Sequence, residues 1–204
     1  MKKWLVGSGL LLLSAPLLAT MEFSPSAILQ WEAKAFAGET DYRLHGEHIL
    51  AQSNGSASGL FYENTIDLNA TPVLHWRWKP VDFPKVTDER VKGGDDFALR
   101  IYVVARTGWG PWNVKAITYV WSQTQRSGYA WDNPFAGDKV KMVALRDSSD
   151  TPDWTTESRN IQQDFMRYFD LEVSEISAIA IMTDGDNSGS VATGLYSGLR
   201  SDSR

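Results

Sequence analysis

The sequence contains no cysteine, and this absence excludes several classes of protein. Without a thiol the chain has no dithiol redox centre, no thiolate ligand for zinc and no disulfide. It also lacks the residue that carries the lipid of a bacterial lipoprotein. A chain of 204 residues fits one domain, and at this length burial of apolar side chains stabilises the fold without covalent cross-links.

Positive charge is scarce as well. The chain has 20 Lys and Arg against 25 Asp and Glu, a formal net charge of −5. Nucleic acids and anionic membranes are bound through clustered Lys and Arg, so we expect neither to be a partner. Histidine occurs three times, and His45 and His48 are three apart in a predicted strand. This spacing places their side chains on opposite faces, which argues against a shared metal ion.

The longest apolar run lies at the N-terminus. Two lysines precede residues 5–18, and Ala19 offers a small residue for cleavage. The run is shorter than the roughly 20 residues of a membrane-spanning helix and contains Pro16. We therefore predict a signal peptide over residues 1–19 and a single β-sandwich domain over residues 20–204. The mature protein is expected to be periplasmic or secreted and not inserted in a membrane.

Short alternating segments separated by turn residues indicate strands. In the segment 73–79, Leu74, Trp76 and Trp78 share the face predicted to lie in the core. The predicted strands cover residues 40–50, 59–66, 73–79, 96–105, 115–121, 140–146, 176–183 and 192–199. The pattern predicts an all-β fold with one or two short helices, an antiparallel β-sandwich of jelly-roll or galactose-binding-like type.

One segment has helical periodicity. Ile161, Phe165 and Phe169 recur at four-residue spacing, and Asn160 precedes them as a candidate N-cap. No regular alternation of strands and helices surrounds this helix, which argues against a parallel sheet.

Six separated segments match a known family in the family's order. They are LHWRW at 74–78, GDDFALRIY at 94–102, KAITYVW at 115–121, NPF at 133–135, WTTESRNIQQDF at 154–165 and IAIMTDGDNSG at 179–189. On these segments the chain resembles the bacterial family called domain of unknown function 3047. The resemblance implies an exported protein with a jelly-roll domain similar to carbohydrate-binding modules, and it implies no particular activity.

Polar residues on two predicted strands suggest a recognition surface. If the strands 73–79 and 96–105 are neighbours, Arg77, Asp96 and Arg100 lie on one charged face. The planar donors of arginine suit carboxylates and vicinal hydroxyls. The alternative is that these side chains form structural ion pairs, as most such clusters do.

Tryptophans in predicted loops offer stacking surfaces for sugar rings. Trp109 and Trp112 lie in a stretch rich in glycine, and Trp131 lies close to Asn133. Trp121 ends a predicted strand and can face either the core or a ligand. Packing beneath a loop is the alternative for Trp109, Trp112 and Trp131.

Residues 184–189 copy the first half of an EF-hand loop, with Asp184, Asp186 and Ser188 at positions one, three and five. Calcium bound there is the one cofactor that we consider. Position twelve is Leu195, so the usual bidentate carboxylate is missing. The same residue types also make an ordinary tight turn.

The sequence favours a non-catalytic binding protein for a saccharide or another cell-envelope ligand. The candidate ligand-binding residues are Arg77, Asp96, Arg100, Trp121, Trp131, Asn133, Arg159, Asp184, Asp186 and Asn187. One alternative is a glycan hydrolase or lyase that uses Asp96, Glu157 or Asp184, since such enzymes need a pair of carboxyl groups. Another is a module that binds a second envelope protein through a sheet face.

Overall fold

The fold was analysed in a computed structural model that describes residues 20–108, 110 and 113–203. The predicted signal peptide and the predicted stacking residues Trp109 and Trp112 lie outside the described residues. None of the described helices is long and apolar enough to cross a membrane.

The described chain is built mainly of strands. In chain order they are β1 (Thr20–Phe23), β2 (Glu32–Ala37), β3 (Asp41–His45), β4 (His48–Asn54), β5 (Ala57–Tyr62), β6 (Ile66–Asp67), β7 (Val73–Asp82), β8 (Arg100–Arg106), β9 (Val114–Trp121), β10 (Ala130–Asn133), β11 (Gly137–Arg146), β12 (Thr155–Asn160), β13 (Glu175–Ile176), β14 (Ala178–Asp184), β15 (Val191–Tyr196) and β16 (Leu199–Asp202). The helices are α1 (Pro25–Ile28) and α2 (Ile161–Phe169), with a single 3₁₀ turn at Lys92–Gly94.

Two seven-stranded sheets form a sandwich. Sheet A has the order β1-β16-β7-β15-β4-β3, with β12 also paired to β7, and sheet B has the order β10-β11-β9-β8-β14-β5-β2. Strands β6 and β13 make a separate pair. The pairing is antiparallel except between β9 and β11, which run parallel. After β9 the chain forms the edge strand β10, and β11 then pairs antiparallel with β10 on one side and parallel with β9 on the other. The predicted all-β sandwich is confirmed, with this one parallel pair added.

The main core lies between the inner faces of the sheets. Trp76 and Trp78 of β7 are buried, as the alternation predicts, and pack against Tyr119 and Trp121 of β9. Trp121 is only 1% exposed, so the prediction that it stacks on a ligand is wrong. Its position at the end of a strand did not reveal that its side chain points inward.

The predicted charged surface shared by residues 73–79 and 96–105 does not exist. Strand β7 belongs to sheet A and β8 to sheet B, so their polar sides lie on opposite outer faces of the sandwich. We call these the outer face of sheet A and the outer face of sheet B. The second strand also begins later than predicted, at Arg100. The preceding residues form a compact turn, in which a Cβ at Gly94 would lie 2.1 Å from the carbonyl oxygen of Asp88.

The predicted helix is confirmed with its cap. The side-chain oxygen of Asn160 accepts a hydrogen bond from the backbone N–H of Gln163 at 3.0 Å. Ile161 and Phe165 are buried against the core, and Asp170 ends the helix in a left-handed conformation with φ of 53°.

Candidate ligand-binding cleft

A second apolar layer covers part of the outer face of sheet B. It consists of Phe97, Val120, Trp131, Met142 and Ala144. Trp131 is 7% exposed and lies in β10, with its ring stacked on Tyr129 at 5.9 Å between centroids. The prediction that Trp131 is an exposed stacking residue in a loop is therefore wrong. Trp131 lies in the edge strand β10 of sheet B, and its ring packs within the apolar layer.

Beside this layer the outer face of sheet B contains a cleft of about 480 Å³. The residues around it fall into an apolar, largely aromatic group and a polar group. The apolar group consists of Phe36, Ala57, Phe61, Tyr102, Phe135, Ala136, Val140 and Met182. The polar group consists of Asp95, Arg100, Asn133, Asp184, Asp186 and Asn187. A concave site with an apolar wall and a few convergent polar groups is typical of small-ligand binding.

The aromatic wall follows from strand register. Phe61 of β5 and Tyr102 of β8 both pair with Ala180 of β14, so the three side chains form one row across the sheet. Because Ala180 is small, the two flanking rings approach to 6.4 Å above it. Phe36 of the edge strand β2 extends the row, 6.2 Å from Phe61, and is 64% exposed.

Arg100 lies at the base of the cleft and is 1% exposed. Its Nε donates to Oδ1 of Asp184 at 2.9 Å, and its Nη2 donates to Oδ2 of Asp184 and to the carbonyl oxygen of Asp95. Its Nη1 lies 3.5 Å from Oδ1 of Asp95 and 3.2 Å from the hydroxyl of Tyr102. All five N–H groups of the guanidinium therefore have partners within the protein. Arg100 holds Asp184 and Asp95 in place at the base of the cleft and has no donor left for a ligand. Its predicted role as a ligand contact is therefore wrong.

The carboxyl groups around Arg100 are held by short hydrogen bonds. Asp184 also accepts from the backbone N–H of Phe97 at 2.9 Å, and Asp95 accepts from the side-chain amide of Asn133 at 3.0 Å. Burial raises the pKa of Asp184 and of Asp95 above the ordinary range, although Arg100 opposes the rise in both. The predicted pair of Asp96 with Arg100 is not formed, since Arg100 binds Asp184 and Asp95 instead.

Asp96 holds the turn that follows β14. One oxygen of its buried carboxylate accepts from the backbone and side-chain nitrogens of Asn187, both at 3.1 Å, and the other accepts from the backbone N–H of Ser188 at 2.6 Å. This turn presents Asp186 at the cleft. Burial, followed by the nearby charge of Asp96, raises the pKa of Asp186.

Asn133 connects the base of the cleft to its rim. Besides holding Asp95, its side-chain oxygen accepts from the backbone N–H groups of Phe135 and Ala136 at 3.0 and 2.9 Å. These bonds fix the turn that carries Phe135, whose ring is 56% exposed. Lys92 approaches the same ring to 5.3 Å from its centroid.

Only some of the predicted calcium ligands lie together in the structure. Carboxylate oxygens of Asp96, Asp184 and Asp186 lie within 4.8 Å of one another. Ser188 instead has its hydroxyl 2.6 Å from that of Ser190, and both oxygens of Asp184 face Arg100. A cation at Asp184 would have to compete with the guanidinium. The turn itself is confirmed and closes at Gly189, with φ of 62°.

Three further predicted site residues lie away from the cleft. Arg77 of β7 lies over the ring of Trp154, Arg159 pairs with Asp164 of α2, and Glu157 accepts from Arg146 at 2.8 Å. Glu157 also accepts from Nε1 of Trp78 at 3.1 Å. These contacts give Glu157 and Arg159 separate partners. They also separate Glu157 from Asp96 and Asp184, so the three catalytic candidates do not form one group.

Five of the ligand-binding residues predicted from the sequence line the cleft, namely Arg100, Asn133, Asp184, Asp186 and Asn187, and Asp96 lies behind them. The aromatic wall was not predicted. Tyr102 carries a signal, since it lies between the buried Ile101 and Val103 on β8, whereas Phe61 follows only one buried aliphatic residue, Leu60, on β5. Phe36 and Phe135 carry none, because exposure of a single phenylalanine is not visible in a sequence.

The fold is a β-sandwich with a cleft on the outer face of sheet B, which is the candidate ligand site. The family model described as "Protein of unknown function (DUF3047)" matches residues 29–200, and the chain belongs to this family. A comparison with curated proteins finds no match in sequence.

Solved structures similar to the chain share little sequence with it. A family 30 carbohydrate-binding module of a cellulosomal cellulase from Clostridium thermocellum has a TM-score of 0.48 at 11% identity, over 92% of this chain and 99% of that one. The xyloglucanase domain of NopAA from Sinorhizobium fredii has a TM-score of 0.45 at 10% identity, over 85% and 93%. A low-affinity xylan-binding module from Roseburia intestinalis has a TM-score of 0.35 at 11% identity, over 90% and 94%.

Proposed function

We propose that this is an exported, non-catalytic protein that binds a saccharide in the cleft on the outer face of sheet B. The observation that carries the proposal is the combination of an aromatic wall with fixed polar groups in one cleft. Sugar rings have apolar C–H faces that stack on aromatic rings and hydroxyls that need hydrogen-bond partners.

The positions of the aromatic rings support this proposal. Phe36 and Phe135 come from different parts of the chain, are both more than half exposed, and line the same cleft. Exposed phenylalanine rings lose apolar contact with solvent when a sugar stacks on them. Asp186 and Asn187 also line the cleft, where side-chain oxygens can accept hydrogen bonds from sugar hydroxyls.

The state of the carboxyl groups favours binding over hydrolysis. A glycosidase needs an acid and a second carboxylate placed about 5–10 Å apart on either side of the scissile bond. Asp184 is bound through both oxygens by Arg100, and Asp96 is buried and bound through both oxygens by the 186–188 turn. Of the predicted catalytic residues, none therefore presents a free carboxylate to the cleft.

Binding can be tested by isothermal titration calorimetry with neutral polysaccharides, using hydroxyethyl cellulose, mannan and galactan. We expect at least one to bind, and Phe135→Ala and Phe36→Ala each to weaken that binding about tenfold, as the loss of an aromatic hot spot does. Leu44→Ala is the matched control, because Leu44 is 51% exposed but lies on β3 of sheet A. Equal loss in all three variants would contradict the assignment of the cleft.

The same samples separate the other functions. New reducing ends or unsaturated sugar that disappear in Asp186→Asn would favour a hydrolase or lyase. Absence of binding to every polysaccharide, together with a co-purifying envelope protein, would favour the interaction module and contradict the proposal.

Export rests on the N-terminal residues. Two lysines, the apolar run and Ala19 support secretion with cleavage near residue 19. N-terminal sequencing of the protein recovered from periplasm or medium should begin near Thr20. An intact Met1 on protein in the cytoplasm would contradict this part of the proposal.

A further inference from the structure

Within the described lining of the cleft no free cation faces a ligand, and two lysines at the rim, Lys34 and Lys92, have their Nζ atoms 5.3 Å from the ring centroids of Phe61 and Phe135. Among the described residues that line the cleft, Arg100 is the only cation. Each of its five N–H groups already donates within the protein, to Asp184, Asp95 and Tyr102. A ligand carboxylate entering the cleft therefore finds no arginine fork of the kind that usually binds it.

Negative charge is in excess at the same place. Counted as ionised, Asp95, Asp184 and Asp186 line the cleft against the single guanidinium of Arg100 and leave a formal charge of −2. Asp96 adds a fourth carboxylate immediately behind the wall, within 4.8 Å of Asp184 and Asp186. Arg100 neutralises Asp184, whereas Asp186 and Asp96 form no ion pair within the described part of the chain.

Asp186 is the carboxyl group best placed to meet a ligand. It lies in the turn after β14 and is partly exposed, whereas Asp95 and Asp184 are buried. Its side chain accepts a hydrogen bond from Asn187 at 3.0 Å, which leaves acceptor positions free for hydroxyl donors. A hydroxyl is therefore matched at this position, and a second carboxylate is repelled.

We infer that the cleft selects neutral saccharides and rejects those that carry uronic-acid carboxylates, with Asp186 as the residue that enforces the choice. This inference rests on the proposed function and specifies its ligand class. Placing like charges next to each other is a common way to exclude a wrong partner. Because the discrimination is electrostatic and the cleft is open to solvent, it should weaken as salt rises.

The test compares each polymer with its own partly oxidised form, so that the sugar backbone is the same and only the C6 group changes. Hydroxyethyl cellulose, mannan and galactan are titrated untreated and after oxidation of part of their C6 hydroxyls to carboxylates. We expect the neutral form to bind at least about tenfold more tightly than the oxidised form at low salt, and the ratio to shrink when sodium chloride is added. Equal or tighter binding of the oxidised form would overturn the inference.

Two variants identify the residue responsible. Asp186→Asn keeps the shape of the side chain and one acceptor oxygen but removes its charge, so we expect the ratio of affinities for neutral and oxidised polymer to fall several-fold. Asp153→Asn removes an exposed carboxylate near β12 on the sheet A side and should leave the ratio unchanged. An unchanged ratio in Asp186→Asn would refute the role of Asp186.

The proposed function and the charge selection are contradicted by different outcomes. If no neutral polymer binds the wild-type protein, the proposed function is contradicted, and the selectivity falls with it. If neutral polymers bind but their oxidised forms bind equally well, only the charge selection is wrong. Near-ultraviolet circular dichroism of each variant shows whether its fold is intact.

Discussion

The outer faces of the two sheets carry similar residue types in opposite environments. On sheet A, Lys79 binds Asp153 at 3.0 Å and Arg77 lies over Trp154, and these charged groups are partly or fully exposed. On sheet B, Arg100 and Asp184 are both at most 2% exposed. An apolar layer that includes Phe97 and Trp131 covers part of the outer face of sheet B, whereas Arg77 and Lys79 on sheet A reach solvent.

This difference decides what each face can do. An exposed ion pair is screened by water and contributes little to stability. A buried pair has lost its hydration, so each partner depends on the other and is held in one position. The outer face of sheet B therefore provides a rigid base on which the aromatic wall and Asp186 are fixed, and the outer face of sheet A does not.

The largest expected effect comes from breaking the buried pair. Asp184→Ala leaves Arg100 buried without its main partner and also removes the acceptor of the Phe97 N–H. We expect a loss of about 3–5 kcal/mol in the free energy of unfolding, measured by urea denaturation. Asp153→Ala, the matched change on the open face, should have a much smaller effect, because the Lys79–Asp153 pair is exposed. A similar loss in both variants would show that the two faces are equivalent.

A buried hydroxyl gives a second comparison, of smaller size. Thr118 of β9 lies between Tyr102 and Met142 in the register of sheet B, is fully buried, and has no partner for its hydroxyl among the described residues. Thr118→Val keeps the shape and removes the unpaired group, so we expect a gain of up to about 1 kcal/mol in the free energy of unfolding.

The control for this change is on the sheet A side. The hydroxyl of Thr155 donates to the carbonyl oxygen of Asp153 at 3.2 Å, and the residue is partly exposed. Thr155→Val should therefore be neutral or slightly destabilising in the same denaturation assay. A loss of stability in Thr118→Val would indicate that water or a ligand pairs with the hydroxyl.

The sequence predicted the elements of the fold better than their arrangement. Alternation along β7 identified Trp76 and Trp78 as core residues, and Asn160 marked the start of α2. Alternation assigns a residue to one of two faces, but it does not say which strands are neighbours. Arg77 and Arg100 were therefore assigned to one surface although they lie on opposite outer faces of the sandwich.

The candidate site was predicted by its polar residues and missed by its aromatic ones. Asp184, Asp186 and Asn187 follow a buried strand and form a turn, which is a local pattern. The cleft also requires Phe36 from the opposite edge of the sheet and Phe135 from the β10–β11 turn. Such a meeting depends on long-range strand order, which no local pattern records.

The smallest expected effect concerns the loop that covers sheet B. Glu89 is buried there, and its carboxylate accepts from the backbone N–H of Gln123 at 2.6 Å and from the hydroxyl of Ser122. Burial raises the pKa of Glu89, an effect that these hydrogen bonds oppose. On the sheet A side the pKa of Asp153 is lowered, first by the backbone N–H of Trp154 and then by Lys79.

The two shifts have opposite consequences for stability. The folded protein holds the proton of Glu89 more tightly than the unfolded chain does, so this group lowers the free energy of unfolding as pH rises from the ordinary carboxyl value to the raised one. Asp153 contributes stability above its ordinary pKa and loses it as pH falls. In urea denaturation between pH 3 and 7, Glu89→Gln should abolish a decrease in the free energy of unfolding that the wild-type protein shows as pH rises. Asp153→Asn should abolish a smaller decrease that appears as pH falls. Equal pH profiles for Glu89→Gln and the wild-type protein would mean that water reaches the loop, and the covered face would then resemble the open one.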